Sequence, residues 1–529
     1  MKTVIASNPI GTTRQSKKNK IAPLSACNNK LYSLFLMAMY IFFLNPYLDV
    51  RGYNAHDPAS YINKAISLWK GIGYGEQFAD IFLPVTIQPP LFSLFLAPVI
   101  GIFGVNFIVL KLFMLVFAAA LSFVLFKFFS YFLGYSDSAK WAVLMALASP
   151  VIFGLSHRVL ADIPVFVFVA LSLWSLDNYL RNPGSILSPW LFLSAAASSL
   201  AYLTKQTALA VFVGGWFLFL HRDFRNGVVF KKLILYSVIG LIPIVIWHAW
   251  CKIIPDDLWY WTTPSVRDYI WKNPFTAKEG FLSLSDFFIR VRHNLVWGIS
   301  NNIAMAFFAP FYFLEGGLFG FLLSFPIVIW LAWQWGKSFI KQPTVLEGFV
   351  FFSLALMVPK YLGMAARYIA MIWPVIIIYF IRALAPLSPK KQSVILNVLI
   401  IISLCTTLGI SIDQWRNPYG SKTLADYVAL SKQAKALLPE GSVCKAPLLT
   451  HWQILTGHKC ECYGQELVTY FVSLSDTAPQ NLDFYRDVER DVLVGARDVG
   501  LLWKGQEGRV EKIVQNNTFA LFKVKTHGN

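Results

Sequence analysis

The sequence predicts an all-α polytopic membrane protein of about 11–13 transmembrane helices with a small C-terminal α/β domain. Three observations predict it. Hydrophobic residues make up 56% of the 529 positions. Charged residues make up 14%, against about 25% in ordinary soluble domains. The apolar residues fall into repeated runs long enough to cross a hydrocarbon core roughly 30 Å thick. A soluble globule is excluded, because no interior of this size would hide that much apolar surface. Disorder and a disulfide scaffold are excluded as well, since aromatic residues reach 16% and only six Cys are present.

The elements follow in order. Residues 1–30 are polar and basic, with Lys2, Arg14, Lys17, Lys18, Lys20 and Lys30, and read as an uncleaved cytoplasmic tail. The transmembrane domain spans 31–413. Its apolar runs lie at 31–48, 106–130, 139–157, 160–181, 188–204, 206–221, 233–254, 316–335, 346–362, 366–385 and 392–413. A further segment, 293–312, reads as re-entrant or interfacial, or as hiding two more spans between 293 and 335. The basic loops set the orientation: Lys127 and Lys140, Arg181, Arg222 with Lys231 and Lys232, Lys337 with Lys341, and Arg382 with Lys390 and Lys391 all fall on the tail's side. That reading also accounts for the net charge of +18, through loops facing anionic headgroups rather than through nucleic-acid binding. Two outer loops result, 49–105 and 255–315, and residues 414–529 form an extracytoplasmic α/β domain. There, 423–438 reads as an amphipathic helix, and 499–503 and 518–524 read as strands.

The first outer loop carries the most chemistry. Asp57-Pro58 opens a helix whose apolar face holds Tyr61, Ala65, Leu68 and Trp69, with Asn63, Lys64, Ser67 and Lys70 elsewhere, as expected for a helix lying in the headgroup layer. Gly71 to Gly75 ends it, and Gln88-Pro89-Pro90 starts a second apolar segment, 91–105, too short to span. Asp57 is either a helix cap or a general base at the membrane surface, with Asp49 a weaker rival. Asp162, also ahead of a proline, has the same capping alternative, yet a carboxylate at the hydrocarbon edge is costly and usually faces a polar cavity. Arg158, Lys205, Lys360 and Arg367, the last followed by Tyr368, fall at the same face. They either snorkel to the headgroups or converge on a lipid phosphate.

Asp57…Tyr61…Ala65…Leu68…Gly71, then Pro89-Pro90-Leu91, Gly104 and Lys111-Leu112, resembles the first outer loop of GT-C type membrane glycosyltransferases. The resemblance is nearest to the protein mannosyltransferase (family 39) and lipid A aminoarabinose transferase group. Asp162-Ile163-Pro164, Leu203-Thr204-Lys205 and Arg367-Tyr368…Pro374 are similar to later motifs of that group, so the likeness covers roughly residues 30–410. Two positions depart from it. Pro58 stands where an acid often follows the first Asp, and Gln88 stands where a basic residue often precedes the Pro-Pro pair.

The resemblance implies a GT-C-like fold and inverting transfer of one sugar from a polyprenyl-phosphate donor to a lipid, glycan or protein acceptor. The site would face outward in a plasma (bacterial inner) membrane, with the N-terminus cytoplasmic and the C-terminal domain periplasmic or extracellular. Asp57 would be the base and Asp162 an orienting acid; Arg158, Lys205, Lys360, Arg367 and Tyr368 would bind the donor phosphate; Tyr61, His56 and Gln88 would contact substrate. No cofactor is required, although the aspartate pair Asp57/Asp162 is compatible with a bridging divalent metal.

Weaker signals remain. Cys444 is placed to pair with Cys460 or Cys462, and His451, His458, Cys460 and Cys462 form a loose cluster matching no metal motif. Asn516-Asn517-Thr518 is a sequon, and Trp259, Tyr260, Trp261 and Trp271 read as interface anchors or sugar-stacking rings. Three other functions compete: a transporter or flippase, a glycan polymerase or ligase, and a non-catalytic assembly protein. A transporter would place charges near the bilayer midplane in two related halves.

Overall fold

The computed structural model describes residues 56–78, 82–84, 88–134, 137–181, 185, 187–223, 228–253, 267–272, 280–298, 317–341, 344–360, 366–416, 422–445, 449–460, 470–474, 510–515 and 519–524. The expected span at 31–48, Asp49, the sequon, the anchors Trp259 to Trp261 and the expected strand at 499–503 lie outside them.

Helix α1 (His56–Trp69) leads into a short antiparallel pair, β1 (Gly75–Gln77) and β2 (Phe82–Pro84), which the sequence reading did not anticipate. Gly71 ends α1 at φ +70°. The Gly71 N–H donates to the Leu68 carbonyl at 3.1 Å and that of Ile72 to Ser67 at 3.0 Å, a double closure that needs the left-handed backbone glycine adopts freely. Helix α2 (Leu91–Phe103) packs on α1; Tyr61 meets Phe92 edge to face at 4.9 Å, and Ser93 Oγ donates to the Tyr61 carbonyl at 3.3 Å.

Helix α1 differs from the surface helix expected. Residues 58–65 are all buried, Lys64 and Ser67 are 0% exposed, and Trp69, assigned to the buried face, is 55% exposed. The reason is tertiary. Helix α2 covers one side of α1, and the later helix α17 (Leu449–Thr456) covers another, so the polar stripe has no water to face.

Next come α3 (Phe107–Leu133), α4 (Asp137–Leu147), α5 (Pro150–Ser156), α6 (Asp162–Arg181), α7 (Pro189–Thr204), a 3₁₀ turn (Gln206–Ala208), α8 (Leu209–Asp223) and α9 (Val228–Ile253). The run 139–157 forms no single straight span. Ser138–Leu147 and Pro150–Ser156 meet at 62°, because Pro150 lacks an amide proton and holds Ser149 extended. After α10 (Arg267–Ile270), the 293–312 segment begins in α11 (Leu284–Trp297), nine residues earlier than expected; its remainder lies outside the described residues. Then follow α12 (Gly317–Lys341), α13 (Val345–Met357), α14 (Ala366–Leu384) and α15 (Pro389–Arg416).

Among the described residues five helices are long and apolar enough to cross a membrane, six with the bent pair. Others are shorter: the 13 residues of α13 rise only about 20 Å. Helix α6 is buried along most of its length and forms the centre of the bundle, while α9 and α15 are buried over a minority. Their exposed residues are apolar and in register, Ile234, Val238, Ile242 and Val245 on α9 and Val394, Val398, Ile401 and Leu408 on α15. Such stripes suit contact with lipid. Between helices, buried hydroxyls bridge: Ser172 and Ser198 lie 2.7 Å apart, and Ser198 lies 2.9 Å from the Tyr236 hydroxyl. This ties α6, α7 and α9 together where a hydrophobic drive is absent.

Beyond α15 the described residues form α16 (Lys422–Leu437), β3 (Val443–Lys445), α17, β4 (Lys459–Cys460), β5 (Tyr470–Leu474), β6 (Val510–Gln515) and β7 (Phe519–Val524). One mixed sheet runs β4-β3-β5-β7-β6. Gln453 Nε2 on α17 donates to the Gln77 carbonyl on β1 at 3.1 Å, joining this region to the first loop. Cys444 is a free, buried thiol, so the expected pairing with Cys460 or Cys462 is absent. It sits opposite Cys460 in the parallel ladder, and its buried side chain packs in the core instead.

A Cβ at Gly75 would lie 2.3 Å from the Leu83 carbonyl oxygen, a backbone atom with nowhere to go. Gly75→Ala is therefore expected to destabilise the protein by about 1–3 kcal/mol and lower its thermal unfolding midpoint in detergent. Gly336→Ala, which meets nothing within 4 Å, is the control and should leave the midpoint unchanged or slightly raised.

Candidate active site

Five separate elements bring charged side chains to one place. Asp57 lies in the first turn of α1, Asp162 opens α6, Lys205 follows α7, Lys360 follows α13, and Arg367 lies in the first turn of α14. Arg367 Nη1 donates to Asp57 Oδ2 at 2.6 Å across 310 residues of sequence. The Lys205 ammonium donates to Asp162 Oδ1, and Asp162 is 2% exposed. The two pairs share a neighbour. The Tyr368 ring has Lys205 Nζ at 4.7 Å, Lys360 Nζ at 5.1 Å and the Arg367 guanidinium carbon at 5.2 Å from its centroid. Three cations thus lie about one aromatic ring, two of them paired with carboxylates, an excess of positive charge suited to an anion.

The local sequence explains each placement. Pro58 and Pro164 lie in the first turns of α1 and α6, where a missing amide proton costs nothing, and leave each aspartate at a helix start. Lys205 caps α7 in extended conformation, φ −157°, which turns its side chain away from the helix toward Asp162. The turn bearing Lys360 is pinned by a buried residue from another element: Asn294 Nδ2 on α11 donates to the carbonyls of Val358 at 2.7 Å and Lys360 at 2.8 Å. Burial lowers the affinity of the Lys205 ammonium for its proton, and the Asp162 carboxylate opposes that loss.

Asp57 is held at both oxygens. Gln88 Nε2 donates to Oδ1 at 3.1 Å while Arg367 occupies Oδ2. Gln88 is itself positioned by its backbone, whose carbonyl accepts from the Tyr74 hydroxyl at 2.7 Å. Its side-chain oxygen accepts from the Lys64 ammonium. Ser60 Oγ donates to the buried Glu76 carboxylate. Sequence reasoning missed Lys64, Ser60, Glu76 and Asn294. The first two were detectable, because positions 57, 60, 61 and 64 fall on one face of a helix.

Of the other expected site residues, Tyr61 is 5% exposed on α1; burial, with Asp57 and Asp162 near, raises its hydroxyl's pKa well above the usual value. Arg158 lies in the turn just before α6. His56 is the first residue of α1, and its side chain lies outside the described set, as do the side chains of His451 and Cys460 and all of Cys462. Among the described residues no three His, Cys, Asp or Glu side chains converge, and each of the two aspartates faces a basic group.

Residues 87–250 match the family model described as dolichyl-phosphate-mannose-protein mannosyltransferase. That stretch holds Gln88, Asp162 and Lys205 but not Asp57, Lys360 or Arg367. No curated protein sequence matches the chain. The fold is shared with ArnT from Cupriavidus metallidurans bound to undecaprenyl phosphate, at TM-score 0.59 and 13% identity over 94% of this chain and 97% of that one. The same protein in its apo state gives 0.58 and 13%, over 94% and 98%. Archaeal oligosaccharyltransferase AglB from Archaeoglobus fulgidus, in complex with an inhibitory peptide and a dolichol-phosphate, gives 0.46 and 11%, over 84% and 69%. The resemblance to GT-C type glycosyltransferases read from the sequence is borne out by the family match and by the fold shared with ArnT.

The Lys205–Asp162 contact is open to a double-mutant cycle. Lys205→Met, Asp162→Asn and the double variant should show a coupling of about 1–3 kcal/mol in thermal unfolding. Additive effects would mean that the two groups do not stabilise each other.

Proposed function

We propose that this chain is a membrane glycosyltransferase. It moves a single sugar from a polyprenyl-phosphate donor to a hydroxyl of a lipid, glycan or protein acceptor at the outer face of the membrane. The observation that carries this reading is the convergence of Asp57 with Arg367, and of Asp162 with Lys205, about the ring of Tyr368. The similarity to a family of dolichyl-phosphate-mannose users and the fold of a protein crystallised with undecaprenyl phosphate support a lipid-phosphate donor.

In this reading the Asp57 carboxylate accepts the acceptor's hydroxyl proton as the oxygen attacks the anomeric carbon. The bond from that carbon to the phosphate oxygen breaks on the opposite side, inverting the configuration. The donor is a phosphodiester with one negative charge; the departing polyprenyl phosphate gains a second. Lys205, Lys360 and Arg367 stabilise that added charge, an interaction stronger in the transition state than in the bound donor. Arg367 has capacity to spare: its Nε is buried and has no hydrogen-bond partner among the described residues, so it suits a phosphate oxygen while Nη1 keeps Asp57. Asp162 keeps Lys205 charged and orients it. Arg158 and Tyr61 complete the substrate surroundings in this reading. A long-tailed donor reaches such a site sideways from the bilayer. The site opens to the outer side, with the N-terminus cytoplasmic and the C-terminal sheet outside in a bacterial plasma membrane.

The test is Asp57→Asn in cells lacking the native chain. Mass spectrometry of surface glycolipids and glycans should show loss of one sugar residue on deletion, restored by the wild type and not by the variant at equal membrane abundance. In vitro the variant's transfer rate should fall by about 10²–10⁴-fold. An unchanged glycan profile on deletion, or full activity of Asp57→Asn, would defeat the proposal.

A further inference from the structure

Lys64 is an ammonium buried at 0% exposure on the helix that carries Asp57. A lysine in that environment is costly unless something there requires its charge. Its Nζ donates to Gln88 Oε1, and Gln88 Nε2 donates to Asp57 Oδ1. The Gln88 carboxamide therefore lies between a cation and an anion, acceptor toward the one and donor toward the other. Turning the amide over would set oxygen against carboxylate and NH₂ against ammonium, so Lys64 determines which end of Gln88 reaches Asp57.

We infer that Lys64 is a positioning residue for Asp57, acting through Gln88. The inference rests on the proposed glycosyl transfer and names a residue for it. Asp57 already pairs with Arg367, and a second direct cation, from Lys64, would make the carboxylate a poorer base still. The neutral amide between them passes on orientation while weakening the pull on Asp57's electrons. The groups facing Lys64 are Asp57 and Tyr61 on its own helix, Tyr74 in the next loop, Glu76 on β1 and, beyond Asp57, Arg367 on α14. Lys64 lies 5.0 Å from the Tyr61 ring centroid and 5.7 Å from that of Tyr74. Burial lowers its pKa to about 8, with Glu76 and Asp57 opposing the loss. Burial raises both tyrosines well above their usual value, so neither competes near pH 8. Lys64 is charged at neutral pH and loses its proton as pH rises through about 8. The wild type should therefore lose transfer rate on the alkaline side.

The experiment uses the full-length protein in nanodiscs. A lipid extract of the native membrane serves as donor, and transfer is read as added sugar mass per folded molecule. Lys64→Met should lower kcat by about 10-fold or more, with KM for the donor extract within about twofold. Lys64→Arg should keep most of the rate and move the alkaline fall upward, since a guanidinium keeps its proton. A stably folded Lys64→Met protein with wild-type kcat would overturn the inference. Should Lys64→Met fail to fold, the Lys64→Arg profile decides: an alkaline limb unchanged from wild type overturns it. A wild type with no transfer at all would instead defeat the proposed function.

Discussion

The Arg367–Asp57 ion pair joins the two ends of the site. It links the first turn of α1 to the first turn of α14, and with it the first loop to the last third of the bundle. Both side chains are largely enclosed, at 17% and 23% exposure. Removing one partner of an enclosed pair leaves the other charge in a medium that solvates it poorly, at a cost of roughly 3–5 kcal/mol. The pair therefore constrains where α1 can sit. Because α1 also bears Tyr61, Ser60 and Lys64, that constraint sets the place of the whole first-loop contribution.

Around this pair the charges are arranged so that none is isolated. Asp162 has Lys205, Glu76 has Ser60, and Lys64 has Gln88. Tyr368 offers its ring face to three cations, a polarisable surface that spaces them without neutralising them. The result is an enclosed region with one more cation than carboxylate about Tyr368. In a low dielectric an incoming phosphate would gain far more from it than from the same groups in water.

The bundle beneath is a rigid support. Buried serine hydroxyls tie α6, α7 and α9, and a Cβ at Gly214 would sit 3.3 Å from the Phe349 amide nitrogen, so α8 and α13 meet almost backbone to backbone. Glu347 closes the N-terminus of α13 with Thr344 and accepts from Ser338 on α12 at 2.6 Å and from the Tyr379 hydroxyl on α14. Helix α14 is thereby fixed at one end by Glu347 and at the other by Asp57, which leaves Arg367 little freedom of position.

Composition and run length by themselves determined that the chain is helical and membrane-embedded, because the period and length of apolar runs follow from backbone geometry and bilayer thickness. Residue type determined that Asp57, Asp162, Lys205, Lys360 and Arg367 were worth attention, since a charge at the edge of hydrocarbon is expensive wherever it lies. Tertiary structure alone decided which acid meets which base, that the polar stripe of α1 is covered by α2 and α17, and that Cys444 stays unpaired. It also decided that Lys64 turns inward to Gln88 rather than outward to headgroups. The physical reason is common to all of these. Local sequence sets what a segment can bury, but the partner that covers it arrives from hundreds of residues away, and no local pattern encodes that meeting.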